Sequence, residues 1–219
     1  GHISLYQLTI EPGTAFFRQQ VRETEEDLAA DLYELTQQMC EDAGMPAYEI
    51  SNHAALGQES RHNLTYWTGG DYIGVGPGAH GRLSSAVQTP CQTRAQTRAV
   101  YQMADPARWL AAVEAKGHAT AKVRPLSGIE RIEEVVLSGL RLRHGLEAKQ
   151  FHRMTGQDLL TALNIVALVE LQEAGLVVLD DQGLRTTPRG RLMLNTILHR
   201  LLDDADEEED TDRLSKALI

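Results

Sequence analysis

Apolar residues near the start of the chain do not alternate cleanly. Ile3 and Leu5 fall on one side of an extended segment, and Tyr6, Leu8 and Ile10 on the other. That pattern predicts a strand over 3–10 covered on both faces, as in a parallel α/β sheet. The period then changes. Leu28, Leu32, Leu35 and Met39 recur at i, i+4, i+7 and i+11, the stripe of an amphipathic helix. Thr24 is placed to cap it, with Glu25, Glu26 and Asp27 at the positive end of its dipole. Gly44 and Pro46 stop it, and Ala47-Tyr48-Glu49-Ile50 reads as a second strand. Strand, helix and strand make a βαβ unit, expected to be parallel and right-handed. Ligands gather at the carboxyl ends of such strands, here Thr9-Ile10-Glu11 and Ser51-Asn52-His53.

Beyond residue 100 the period is mostly helical. Helices are expected over 106–117 with Trp109, Leu110 and Val113 inward, and over 130–142 with Ile132, Val135, Val136 and Leu140 inward. Others should span 147–155, 158–174 and Pro188 to about Leu202, with a hairpin of 176–179 and 184–186 turning at Asp180-Asp181-Gln182-Gly183. Gln88 to Arg98 is a linker or a strand pair. Helix, helix, hairpin, helix is a winged-helix order, in which the second helix enters the DNA major groove. Yet Gln157–Gly175 holds Asp158, Glu170 and Glu173 and no Lys or Arg, so phosphates would repel it. No nucleic-acid partner is expected. A lid or packing domain fits better, and a non-catalytic winged-helix binding module is the alternative.

Composition narrows the class. At 219 residues, 42% hydrophobic and 24% charged, the chain has room for one large domain or two small ones and is not disordered throughout. No apolar run approaches the roughly 18 residues that cross a bilayer, and no charged-then-apolar leader opens the chain. Cys40 and Cys91 make neither a disulfide framework nor a metal-ligand pair, so a reduced, cytoplasmic protein is expected. The net charge of −10 is uneven: eight acids against Arg213 and Lys216 place −6 of it in residues 203–219, read as a solvated tail. The chain starts with Gly1 and enters a strand pattern at once, so we expect a piece of a longer protein. A strand at 3–10 without an upstream neighbour would offer an edge to a second copy, or to residues from elsewhere in the chain.

Residues 51–83 concentrate the candidate chemistry. Ser60-Arg61-His62-Asn63-Leu64-Thr65-Tyr66-Trp67 precedes Gly69-Gly70-Asp71-Tyr72-Ile73-Gly74-Val75-Gly76-Pro77-Gly78-Ala79-His80-Gly81. Tyr72–Val75 reads as a short strand running into a glycine turn. The run Gly76 to Gly81 matches G-x-G-x-x-G, but no helical spacing follows it, so a dinucleotide site is rejected. His53, His62 and His80 could ligate a metal, although no fixed-spacing pair marks one.

These motifs, with Tyr6-Gln7-Leu8-Thr9-Ile10-Glu11-Pro12-Gly13-Thr14 and Tyr48-Glu49-Ile50-Ser51-Asn52, closely resemble the oxygen-independent coproporphyrinogen III oxidase family of radical-SAM proteins, over essentially residues 1–202. Within it, H-N-x-x-Y-W marks the heme-chaperone branch. The resemblance implies an α/β chain, α+β overall: the C-terminal part of a radical-SAM partial (β/α) barrel followed by a mostly helical, winged-helix-like domain. Expected divisions are 1–100, 101–202 and the acidic tail 203–219. The family's CxxxCxxC motif is absent here, so S-adenosyl-L-methionine and the 4Fe–4S cluster belong to the parent protein, and this chain alone should be inactive. By resemblance, Thr9 and His80 approach S-adenosyl-L-methionine or tetrapyrrole, and Gln7 and Glu11 face the same cavity beside Gly76 and Gly78. His62, Tyr66 and Trp67 form the heme-proximal group, with His62 as iron ligand, since imidazole is a common axial ligand and aromatic rings stack on porphyrins. Arg61 could pair with a propionate. The implied function is heme binding and delivery to an acceptor protein. The rival is the oxidase, which decarboxylates two propionates to vinyls.

Overall fold

The computed structural model describes residues 1–88 and 93–203, which form two compact units, 1–60 and the part from Arg61 onward. Cys91 and all but the first residue of the acidic tail lie outside the described residues.

In the first unit, β1 (His2–Ser4) is followed by α1 (Ala15–Arg18), α2 (Glu26–Asp42) and β2 (Asn52–Ala54). The expected parallel βαβ unit does not form: β1 and β2 are antiparallel, with Ile3 opposite His53. The reason lies in the turn before β2. Buried Glu49 accepts from the Ser51 amide at 2.7 Å and from Asn52 Nδ2 at 2.6 Å, which reverses the chain just after Tyr48. Ala47–Ile50, read as a strand, contributes only an isolated bridge from Ala47 to His53.

The strand expected over 3–10 stops at Ser4, apart from one further bond from the Leu5 amide to Ser51. Side chains take over from a ladder beyond it: Gln7 donates to the Ala29 carbonyl at 2.6 Å, and Glu23 accepts from the Ile10 amide at 2.5 Å. Two-sided burial fails accordingly, with Leu5, Tyr6 and Leu8 exposed. Among the described residues β2 is the one strand paired with β1.

Helix α2 starts one residue later than expected, with Glu25 at the N-cap. It is also rotated relative to its apolar stripe. Leu28, Leu32, Leu35 and Met39 are about half exposed or more, whereas Cys40 is buried and Ala29 and Tyr33 are half-buried. A two-stranded sheet of three-residue strands is too small to cover the leucine face. Ala29, Tyr33 and Cys40 lie inward instead.

The second unit holds α3 (Arg61–Trp67), β3 (His80–Gln88), β4 (Thr93–Gln102), α4 (Pro106–Lys116) and β5 (Thr120–Pro125). Strands β3, β4 and β5 form an antiparallel meander, Val100 lying opposite both Gly81 and Val123. Of the Gln- and Arg-rich segment, Gln88 ends β3 and Thr93–Arg98 belong to β4, so its described residues form a strand pair. Tyr72–Val75, expected as a strand, gives only a bridge between Tyr72 and Arg82. Asp105 caps α4, accepting from the Arg108 amide at 2.8 Å, and Pro106 supplies the preset φ of a first helical residue.

The rest is α5 (Gly128–Gly139), β6 (Leu146–Glu147), α6 (Ala148–Thr155), α7 (Leu159–Ala162), α8 (Ile165–Glu173), β7 (Val177–Leu179), β8 (Gly183–Thr186), α9 (Pro188–Leu192) and α10 (Leu194–Leu202). The sheet runs β6-β8-β7, a winged-helix arrangement. The single helix read over 158–174 is two, because Asn164 leaves the helix and caps α8 by accepting from the Ala167 amide at 3.0 Å. The last helix also breaks, at Met193. Val136, Leu140, Phe151, Leu168, Ile197 and Leu198 are fully buried, each worth about 1.5–3 kcal/mol of burial. This is the main core, and the expected inward face of α5 lies in it.

Helix α5 opens with a capping box between Ser127 and Glu130, and Glu130 also pairs with Arg124 at 2.7 Å. The Arg124 guanidinium, then the Ser127 amide, lower the Glu130 carboxyl from 4.5 to about 2. A depressed folded-state pKa contributes stability above the unfolded value and loses it as pH falls through the folded one. Acid titration followed by circular dichroism should therefore show Glu130 weakening the fold between pH 4.5 and about 2. In Glu130→Gln that component of the acid transition should be missing. No helix among the described residues is long and apolar enough to cross a membrane.

Candidate functional site

The residues expected to carry function divide between the two units. Gln7, Thr9 and Glu11 belong to the first, where all three are exposed. Gln7 is bonded to Ala29, and the Glu11 carbonyl accepts from the Thr14 hydroxyl at 2.7 Å. The three histidines also differ. His53 is 1% exposed with neither ring nitrogen hydrogen-bonded; burial lowers its pKa, against the opposing charge of Glu49. His62 and His80 are exposed.

In the second unit, α3 builds one coherent face. His62 and Tyr66 sit four residues apart, so their side chains meet. His62 Nε2 and the Tyr66 hydroxyl are 2.9 Å apart, and the rings lie edge-to-face at 4.7 Å. Tyr72 extends the face, its ring 4.4 Å from that of Tyr66. Burial raises the Tyr72 pKa, Arg82 opposing. Arg61 opens the helix, exposed. Trp67 takes a different direction: Arg141 lies over its ring at 4.5 Å, a cation–π contact. A small cavity beside it is lined by Val135, Leu142, Leu146 and Gln150.

The glycine segment returns the chain to the sheet. A Cβ on Gly74 would stand 2.2 Å from the His80 carbonyl oxygen, so only glycine lets this segment approach the start of β3 this closely. Gly76 and Gly78 have φ of +108° and +71°, and the Gly78 amide donates to Met103 at 2.8 Å. The run then enters β3, not a helix. His80 packs edge-to-face on Tyr101 at 4.8 Å.

Sequence reasoning missed what holds this face. Arg82 grips Glu134 of α5 through Nε at 2.9 Å and Nη2 at 2.7 Å. Glu134 also lies 3.8 Å from Arg131. Arg131 and Gln150 donate at 2.8 Å to the carbonyls of Gly69 and Thr68, at the end of α3. Their partners stand 62 and 82 residues away, and no local signal marks such contacts.

Among the described residues no group of three or more His, Cys, Asp or Glu could hold a metal ion, and Cys40 is buried in α2. These residues do not fit a 4Fe–4S cluster, so no chemistry is derived through one.

A winged-helix domain supporting a short histidine–tyrosine helix defines the class. Residues 126–193 match the family described as the HemN C-terminal domain. The chain is 39% identical over 215 residues to "Radical S-adenosyl methionine domain-containing protein 1, mitochondrial" of Bos taurus, covering 94% of this chain and 47% of that protein. It is 30% identical over 207 residues to "Heme chaperone HemW" of Bacillus subtilis (strain 168), covering 93% and 51%. The solved structure of coproporphyrinogen III oxidase (HemN) from Escherichia coli, described as a radical SAM enzyme, matches with a TM-score of 0.62 at 15% identity, over 90% of this chain and 46% of that one. At that identity the likeness concerns the fold. These likenesses support the oxygen-independent coproporphyrinogen III oxidase-like radical-SAM family, the matched family model being that of its C-terminal domain. The chain spans about half the length of the curated relatives it matches.

Proposed function

We propose that α3 presents His62 to heme, as part of a cytoplasmic radical-SAM protein that binds heme and passes it to an acceptor protein. The observation that supports this reading is the exposed His62–Tyr66 pair. Imidazole is an ordinary axial donor to heme iron. In the free chain the Tyr66 hydroxyl engages Nε2, so iron taking that nitrogen exchanges one partner for another. An exposed hydrogen bond is worth only about 1 kcal/mol net. Freeing the His62 imidazole for iron therefore costs the chain little. Arg61, next to His62, supplies a guanidinium for a propionate. S-adenosyl-L-methionine and the 4Fe–4S cluster are assigned in this reading to the longer parent protein, and Gln7, Thr9, Glu11, Gly76, Gly78 and His80 to its cofactor- or tetrapyrrole-facing surface.

The test is a heme titration of the chain and of His62→Ala, followed at the Soret band. His62→Ala should bind at least roughly tenfold more weakly, the low end of what losing even a partner behind a metal ligand costs, with a shifted Soret maximum. An unchanged spectrum and affinity would remove His62 as ligand. The fold likeness to the oxidase supports a second reading, and conversion of coproporphyrinogen III by the longer parent would move the assignment there.

A further inference from the structure

The last carbonyls of a helix have no donors within it, and α3 has seven residues, fewer than two turns. A helix that short does not hold itself in water. The carbonyls of Leu64, Thr65 and Tyr66 accept from the amides of Thr68, Gly70 and Gly69, and the turn so formed is held at its own carbonyls by side chains of the winged-helix domain. Gln150 Nε2 donates to Thr68 and Arg131 Nη2 to Gly69, each at 2.8 Å. Arg131 is 11% exposed and has Glu134 at 3.8 Å, while Glu134 is itself held by Arg82, so the guanidinium has little freedom to swing away. Met154 of α6 packs against Gly69, where its methyl occupies the place of a side chain. A cation at this end also suits the helix dipole.

We propose that Gln150 and Arg131 are positioning residues, through which the domain built on α5 and α6 sets how α3 presents His62 and Tyr66. The consequence for heme rests on the function proposed above; the closure of α3 does not. Both bond the backbone just beyond the C-terminal end of α3, the end away from His62, and Arg131 is also within electrostatic reach of Tyr72.

Gln150→Glu keeps the shape of the side chain, removes its donors and sets a carboxylate against the Thr68 carbonyl. Gln150→Lys restores donors at that position. Hydrogen exchange on the chain would read the amides of Thr68, Gly69 and Gly70, which donate back to Leu64, Tyr66 and Thr65. Exchange in Gln150→Glu should be about tenfold faster, the scale of one lost hydrogen bond, with Gln150→Lys close to wild type and thermal melting little changed in either. Equal exchange in all three proteins overturns the closure. In heme titrations Gln150→Glu should bind more weakly and Gln150→Lys should recover. Faster exchange with undiminished heme affinity overturns the presentation of His62 while leaving the closure standing. Failure of the heme reading itself shows separately, as an unaltered titration of His62→Ala.

Discussion

Replacing Glu134 with alanine is expected to destabilise the unit from Arg61 onward by roughly 3 kcal/mol, the lower end of the cost of removing one partner from a buried ion pair. The lower end applies because the side chains are not sealed: Arg82 is 17% exposed and Glu134 27%. Glu134 is the carboxylate on which two guanidinium groups converge, at 2.7 Å from Arg82 and 3.8 Å from Arg131. Without it, two like charges are left together in partly desolvated positions. Burial already works against the charge on Arg131, and Glu134 is the chief opposing influence. Urea denaturation of the chain measures the loss as a lower midpoint. Removing Arg82 as well, in an Arg82→Met, Glu134→Ala double variant, should recover part of it, because only one of the two stranded charges, that of Arg131, then remains. If the single variant loses less than about 1 kcal/mol, the pair is behaving as a surface ion pair and the assignment of a buried clamp is wrong.

A second large effect is expected in the wing. Gly183→Ala should cost about 4 kcal/mol, from backbone strain of about 1–3 kcal/mol and overpacking of similar size. Gly183 opens β8 with φ of +143°, a conformation that side-chain-bearing residues rarely adopt. An added Cβ would lie 2.0 Å from the Leu146 carbonyl oxygen and 2.9 Å from the Ala148 nitrogen. Both are backbone atoms, so no side chain can move aside. The register pairs Gly183 with Glu147, and the residue joins the hairpin to the strand that leads into α6. Calorimetry should show a melting temperature lowered by well over the shift of a surface change, and loss of the β6–β8 amide protection should accompany it. A melt indistinguishable from wild type would mean that the wing relaxes without cost.

The C-terminal half was largely legible because its signals are local. The apolar positions of α5 have a helical period and all four fall in the core. The hairpin around Asp180–Gly183 is marked by its turn residues, and the acidic second helix by its lack of Lys and Arg. Where local reading failed, a single residue had changed the chain's course, as when Asn164 capped a new helix inside an apolar run. The first unit was less legible for a different reason. The period of Leu28, Leu32, Leu35 and Met39 reports that one face of α2 is apolar, but not whether a sheet large enough to cover it is at hand. In the candidate site the motif residues were visible as an unusual cluster. The period of α3 itself was not recognised, and Arg82, Glu134, Arg131 and Gln150 are separated from their partners by distances in sequence that no pattern reports.

Those separations set an order of events during synthesis. Thr68 and Gly69 are translated 82 and 62 residues before the side chains that close the end of α3. At roughly 5–20 residues per second, the ribosome takes several seconds to cover that interval. Throughout it, the histidine–tyrosine helix exists as nascent polypeptide without its supports. The face is completed only when α6 has been made, so any chain cut short before Arg131 carries the whole motif without either side chain that supports it.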